Sequence, residues 1–191
     1  LARWRVASHN WISAQAYESG LTRRKVIELV YQASQLDDSI VLGASRMIRE
    51  ADIWAPSKAV QVFANRGLSG IDGTVATATG IALRSEGAYT RAILGDLTLI
   101  HDASSMIEDP EETLNLQLIM VNDQGGSIFE KLELFQEVET GTFDRIFRAG
   151  QKIDYWSLAN AYGFIYIAPA DEQELTEALK TPGRVLIEIK L

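Results

Sequence analysis

The sequence predicts an α/β fold: a doubly wound sheet of six mostly parallel strands with helices on both faces. Three observations carry that expectation. From Ser39 onward, short apolar runs alternate with amphipathic stretches, the pattern of successive β-α units. Several central runs are apolar at consecutive positions rather than alternating ones, as strands buried on both faces require. The 191 residues, 47% hydrophobic and 23% charged with no cysteine, have the size and composition of one globular domain.

The first nineteen residues place Trp4, Val6, Trp11, Ile12, Ala16 and Tyr17 at a spacing compatible with an amphipathic helix that Gly20 ends. Residues 1–20 are therefore expected to be a connector helix, and residues 21–191 the domain proper. The chain begins with Leu1 rather than Met, so a piece of a longer polypeptide is expected. Thr22 caps a second helix whose apolar face is Val26, Ile27, Val30 and Tyr31, with Asp37-Asp38 breaking it. Strands are expected at 40–42, 59–63, 92–94, 116–121, 164–167 and 184–189. Helices are expected around 45–54, 72–87, 98–107, 155–162 and 171–180, the last bounded by Pro169 and by Pro182-Gly183. The interval 124–153 breaks this rhythm. It contains Gly125, Gly126, Gly141 and Gly150 and exceeds a usual connection, which points to a functional loop.

Charge narrows the partners. With 18 Lys+Arg against 26 Asp+Glu the net charge is −8, a field that repels phosphate backbones and anionic lipid surfaces. Nucleic acid is not an expected partner. No apolar run approaches the roughly 20 residues that span a bilayer, and the N-terminal stretch has no signal-peptide pattern. A cytoplasmic location is the expectation.

Ligands of open parallel sheets bind outside the carboxyl ends of the strands, and four polar clusters fall there. They are Gly43-Ala44-Ser45-Arg46 through Arg49, Asn65-Arg66-Gly67 through Gly73-Thr74, Gly95-Asp96-Leu97-Thr98, and Asn122-Asp123-Gln124-Gly125-Gly126. Taken singly, each also fits a structural reading: Asp96 as a helix N-cap, Asn122-Asp123 with two glycines as a turn. Gly67, Gly70 and Gly73 match no standard phosphate-loop spacing. The coincidence of Asp96 and Asp123, each just past a buried strand and beside glycines, is more specific. Two converging carboxylates near helix N-termini and bare amides suit Mg²⁺ and a diphosphate. His9 and His101, far apart and without cysteine, do not suggest zinc, and His101 beside Asp102 fits a structural hydrogen bond. Trp4, Trp11, Trp54 and Trp156 fit core or interface anchors. Residues 108–112, Glu137 and Glu139 fit a solvated acidic surface.

At these residues the sequence resembles the thiamine-diphosphate-binding domain of thiamine enzymes, whose signature is Gly-Asp-Gly followed some two dozen residues later by Asn-Asn. The counterparts here are Gly95-Asp96-Leu97 and Asn122-Asp123. Leu97 departs from the third glycine, and Asp123 departs from the second asparagine by adding a negative charge. The resemblance implies a thiamine-diphosphate-binding fold and a metal, Mg²⁺ with Mn²⁺ as the alternative, held by Asp96, Asp123 and the main-chain carbonyl of Gly125. It also implies that Ile71, Gly95, Asp96, Leu97, Asn122, Asp123, Gly125, Gly126 and Ile128 contact the cofactor, with Ile71 as the apolar prop for its bent conformation.

The stretches 65–73, 95–102 and 122–129 resemble more closely the 2-succinyl-5-enolpyruvyl-6-hydroxy-3-cyclohexene-1-carboxylate synthase family of menaquinone biosynthesis. That family implies a transferase that decarboxylates 2-oxoglutarate and adds the succinyl unit to isochorismate. Ser45, Arg49, Arg66, Phe129 and Leu132 resemble its substrate-site residues, and arginines inside an acidic chain suit carboxylate substrates. The family also implies upstream pyrimidine-binding and middle domains, a homodimer or homotetramer, and an activating glutamate supplied by a second subunit's pyrimidine-binding domain. No catalytic residue is then expected in this chain, and the chain alone should be inactive. The alternatives are a domain of another thiamine enzyme, such as an acetohydroxyacid synthase or a 2-oxoacid decarboxylase, and a non-catalytic binding domain that keeps the fold.

Overall fold

A computed structural model of the chain describes residues 20–107, 113–131 and 133–191. The expected connector helix, with Trp4, His9 and Trp11, lies outside the described residues, as do Leu132 and the acidic stretch 108–112. Among the described residues the strands β1 (Ser39–Leu42), β2 (Gln61–Phe63), β3 (Thr90–Gly95), β4 (Leu116–Asn122), β5 (Ile165–Ile167) and β6 (Arg184–Lys190) form one six-stranded sheet in the order β2-β1-β3-β4-β6-β5. Every pairing is parallel. The direction of winding reverses after β2, so β1 and β3 are neighbours at a switch point.

The consecutive apolar runs are explained by two layers of core. Ile40, Leu42, Ile93, Ile119, Val121, Val185, Ile187 and Ile189 pack on one face with Val26, Ile27 and Val30 of α1 (Arg23–Ala33). Val41, Ala92, Leu94, Leu118, Met120 and Leu186 pack on the other with Val75 and Ala78 of α3 (Thr74–Arg84). Successive strand residues serve opposite layers, so an alternating polar pattern would have left one face unburied. Burying each Val, Leu, Ile or Met among them contributes about 1.5–3 kcal/mol, and the central strands are almost wholly inaccessible to water.

Helix α2 (Arg46–Trp54) follows β1. Helix α1 begins where expected, the Thr22 hydroxyl accepting the Lys25 amide at 3.2 Å, and ends at Ala33, before Asp37-Asp38. Asp38 instead joins a buried ion pair with Arg91 at 2.6 Å.

Several boundaries depart from the sequence reading. The run 59–63 yields only the exposed edge strand β2; an edge strand needs no two-sided burial. Helix 72–87 shortens to α3, because Gly73 adopts φ +73° and the chain turns at Ser85. The helix expected at 98–107 is α4 (Asp96–His101), followed by a 3₁₀ turn over Ala103–Met106. Its break coincides with Asp102, whose carboxylate accepts the Ala76 amide at 2.9 Å and the Ser105 hydroxyl at 2.6 Å.

The interval 124–153 is folded rather than an open loop. It holds a 3₁₀ turn (Ile128–Lys131), α5 (Leu134–Glu137) and α6 (Thr140–Phe147). Phe143 lies edge-on to Phe135 with ring centroids 4.8 Å apart, giving the segment a small core of its own. Glu139 is exposed but not idle: its carboxylate caps α6 through the Gly141 and Thr142 amides. The last helices, α7 (Tyr155–Ala161) and α8 (Glu172–Ala178), match expectation within a residue or two at each end. Trp156 is 59% exposed, so it is no core anchor. Trp54 lies under the Arg24 guanidinium at 4.6 Å and donates to Glu50. Among the described residues no helix is long and apolar enough to cross a membrane.

Candidate functional site

The four polar clusters meet at the carboxyl ends of β1, β3 and β4. A cavity of about 280 Å³ there is lined by Ala44, Ser45 and Arg46 from the first cluster, Ile71 from the second, Gly95 to Thr98 from the third, and Asp123 and Gly125 to Phe129 from the fourth. Local sequence makes this convergence possible. A side chain at Gly43 would meet Leu94 at 3.0 Å, so glycine lets β1 end tight against β3. Ser45, at φ +71°, turns the chain abruptly into α2. Gly125, at φ +111°, has the backbone of Ala149 and Gly150 where a side chain would stand.

Asp96 and Asp123 follow adjacent strands and face this cavity. Asp96 opens α4 as its first helical residue, Gly95 being the cap, and is 3% exposed. Its carboxylate accepts the Leu97 amide at 2.8 Å and the Gly125 amide at 2.7 Å. Burial raises its pKa, the Asp123 charge adds to that, and the two amide bonds work against it. Asp123 accepts the Gly126 amide on Oδ1 at 2.9 Å, and Arg23 Nη2 at 2.7 Å and the Ser127 hydroxyl at 2.5 Å on Oδ2. Burial alone would raise the pKa of Asp123 too, but the Ser127 and Arg23 hydrogen bonds and the Arg23 charge together bring it below the ordinary value. The two carboxylates are thus in unlike environments.

No group of three His, Cys, Asp or Glu residues suited to a metal occurs among the described residues. A cation at this cavity would rest on two carboxylates, completed by backbone and ligand oxygens, the hard donor set that Mg²⁺ accepts. The Gly125 carbonyl borders the same loop and accepts the Ala149 amide at 2.9 Å.

Of the residues singled out by sequence, Ser45, Ile71, Gly95, Asp96, Leu97, Asp123, Gly125, Gly126, Ile128 and Phe129 line the cavity. Asn122 does not: its amide donates to Glu188 at 2.6 Å and its Oδ1 accepts the Gln124 amide at 3.0 Å. Arg49 is exposed one turn along α2 and donates to the Ser45 carbonyl. Arg66 is exposed on the loop after β2, outside the lining. His101 ends α4, 3.5 Å from Asp72 on the loop that carries Ile71.

Three arginines at the site had no role assigned from sequence, although Arg46 stands in the first polar cluster. Arg23 pairs with Asp123, and Arg46 donates to the Ser127 hydroxyl at 2.6 Å and its carbonyl at 3.1 Å. Arg148 donates to the Asp123 carbonyl at 2.8 Å and pairs with Glu130. The signal for Arg23 was available in principle: a cation in the first turn of a helix opposes the helix dipole, so its position there asks for another partner.

Residues 43–189 match the family described as thiamine pyrophosphate enzyme, C-terminal TPP binding domain. Among curated proteins the chain is 43% identical over 186 residues to the 2-succinyl-5-enolpyruvyl-6-hydroxy-3-cyclohexene-1-carboxylate synthase of Clavibacter michiganensis, covering 92% of this chain and 32% of that protein. It is 37% identical over 196 residues to the protein of the same name from Kineococcus radiotolerans, covering 100% of this chain and 35% of that one. The chain therefore spans about a third of the length of these relatives. Among solved structures it superposes with a TM-score of 0.68 at 20% identity on an enzyme of Mycobacterium smegmatis assigned as thiamin diphosphate-dependent, covering 89% of this chain and 32% of that one. At that identity the likeness concerns the fold.

Proposed function

Because the chain belongs to the thiamine pyrophosphate enzyme family through its C-terminal TPP binding domain, we propose that the cavity at the ends of β1, β3 and β4 holds the diphosphate end of thiamine diphosphate through Mg²⁺, or Mn²⁺ in its place. The observation that carries this reading is the pair Asp96 and Asp123, brought by adjacent parallel strands to one cavity beside the glycine amides of the 125–126 turn. Asp96, Asp123 and the Gly125 carbonyl are the metal ligands. Gly95, Leu97, Gly126, Ile128 and Ile71 border the cofactor, with Ile71 supplying an apolar support. Asn122 serves indirectly, holding the turn that presents Asp123. The bound cofactor supplies the means of breaking the carbon–carbon bond next to a keto group.

The reaction we propose is the one the resemblance to the synthase family implies: decarboxylation of 2-oxoglutarate and addition of the succinyl unit to isochorismate in menaquinone biosynthesis. Ser45 and Phe129 at the cavity wall, together with Arg49, Arg66 and Leu132, are the substrate-contacting residues of this chain. Both substrates carry two carboxylates, which guanidinium forks bind against an unfavourable net field. In the complete enzyme, a cytoplasmic homodimer or homotetramer, the cofactor's pyrimidine ring is received by a second subunit, which also provides the activating glutamate. The chain alone then binds cofactor weakly and does not turn over.

Two measurements test this. Calorimetry should show thiamine diphosphate binding that depends on Mg²⁺ and is abolished by a chelator. The complete enzyme should release CO₂ from 2-oxoglutarate and consume isochorismate, whereas preference for pyruvate would assign it to another thiamine enzyme. Absence of Mg²⁺-dependent binding would leave only a domain that keeps the fold.

A further inference from the structure

Arg23 is expensively placed. It is the first residue of α1, where a positive charge opposes the helix dipole. Its side chain is 16% exposed, and its Nε is buried without a hydrogen-bond partner. A second guanidinium, that of Arg46, donates to the same Ser127 hydroxyl at 2.6 Å, so a like charge adjoins it. Helix stability does not account for an arginine at this position.

What the placement achieves is local. One nitrogen, Nη2, reaches both Asp123 Oδ2 at 2.7 Å and the Ser127 hydroxyl at 2.9 Å, and Ser127 itself donates to the same Oδ2 at 2.5 Å. Arg46 has carboxylates of its own, Glu50 at 3.2 Å and Glu130 at 3.4 Å. Asp123 meanwhile lines the same cavity as Asp96. Two carboxylates at one cavity repel unless a cation lies between or beside them.

We propose that Arg23 is the built-in counter-cation of Asp123: it holds the 123–127 turn in shape and competes with a divalent cation for Asp123 Oδ2. The proposal rests on the metal-site reading above and deepens it. Arg23 is a positioning residue that sets how tightly this site takes its metal. Oδ1 accepts the Gly126 amide alone, whereas Oδ2 already accepts both Arg23 and Ser127, so a metal that engages Oδ2 must displace one of these two donors. Arg23 carries the positive charge that a metal would duplicate, so it is the donor that yields.

The test is a double-mutant cycle on this chain with Arg23→Met and Asp123→Asn, read as thermal midpoint in the presence of a chelator. Arg23→Met should lower the midpoint by about 3–8 °C beside Asp123, and by less than half of that in the Asp123→Asn background. An additive cycle overturns the proposal. The second readout is Mn²⁺ binding alone, followed by electron paramagnetic resonance. Arg23→Met should tighten it by roughly three- to tenfold, the effect of removing one nearby like charge at a partly buried site. Arg23→Lys, which keeps the charge, should stay within about twofold of wild type. Equal tightening in the Lys and Met variants, or weaker Mn²⁺ binding in Arg23→Met, overturns it as well. If Arg23→Met does not fold, the Lys comparison and an Arg23→Gln cycle decide between the same outcomes. Failure of the thiamine reading would show differently, as a wild-type chain that takes up no thiamine diphosphate with Mg²⁺ while the chelator cycle remains coupled.

Discussion

The Gly125 amide donates to Asp96 Oδ2 at 2.7 Å, which ties the loop after β4 to the first residue of α4, after β3. Through this one bond the two halves of the candidate metal site are held in register before any ligand arrives. The bond depends on Gly125 keeping φ +111°, in contact with the Ala149–Gly150 backbone.

Gly125→Ala should therefore be damaging twice over. The added methyl meets backbone that has no flexible end to move, and the left-handed conformation strains any L residue. The expected loss is about 2–5 kcal/mol, measured by urea denaturation, together with loss of Mg²⁺-dependent thiamine diphosphate binding. Gly67→Ala is the control: nothing lies within 4 Å of its added methyl, so its stability should stay within about 0.5 kcal/mol of wild type.

At the opposite end of the sheet, Arg91 and Asp38 form an ion pair at 2.6 Å with both residues under 5% exposed. Asp38 also accepts the Tyr89 amide at 2.8 Å and the Gln35 amide at 2.8 Å. Asp38→Ala leaves a buried guanidinium without its counter-charge and should cost about 3–5 kcal/mol. Cofactor affinity of the folded fraction should not change, because the pair is at the amino ends of the strands. A drop in affinity without a drop in stability would contradict this division.

Alkaline pH should destabilise the chain through two tyrosines. Burial first, then the charges of Asp96 and Glu188, push the Tyr155 phenol well above the ordinary tyrosine range. Burial first, then the hydrogen bond it donates to Glu188, does the same for Tyr166. The unfolded chain ionises both phenols near pH 10, so their contribution is intact below that pH and is lost as pH rises toward the folded values. Thermal midpoints from pH 8 to 11.5 should fall less steeply above pH 10 in Tyr166→Phe. An unchanged slope would remove Tyr166 from the account.

Arg49→Ala and Arg66→Ala in the complete enzyme should each lower kcat/KM by about ten- to a hundredfold, the equivalent of losing a charge-assisted bond of roughly 1.5–3 kcal/mol. Thiamine diphosphate affinity should remain near wild type, since neither arginine lines the cavity that holds Asp96 and Asp123. Wild-type kinetics in both variants would make them surface residues.

The sheet and the carboxylate pair were legible because each depends on short-range rules. Consecutive apolar residues such as Ile40-Val41-Leu42 must serve two layers, so a sheet covered on both faces follows from the pattern alone. Asp96 and Asp123 stand just past such runs, and parallel strands bring their ends to one edge. Asn122 was harder. It is the last residue of β4, and alternation sends its side chain to the other layer, where Glu188 receives it. The interval 124–153 read as a loop because its helices are short, and its order comes from aromatic contacts such as Phe135 with Phe143.

Local sequence thus determined the fold class, the strand ends and the pair of acidic residues, because periodicity and turn chemistry act over a few neighbouring positions. Tertiary structure alone decided the electrostatics of the site. Arg23 lies 100 residues from Asp123 in the chain, and Arg46 lies 81 from Ser127. No periodicity links such pairs; they meet because α1 and α2 pack over the end of a sheet whose strand order is not the chain order. The charge that balances Asp123, and which of its oxygens a cation must contest, are properties of that packing.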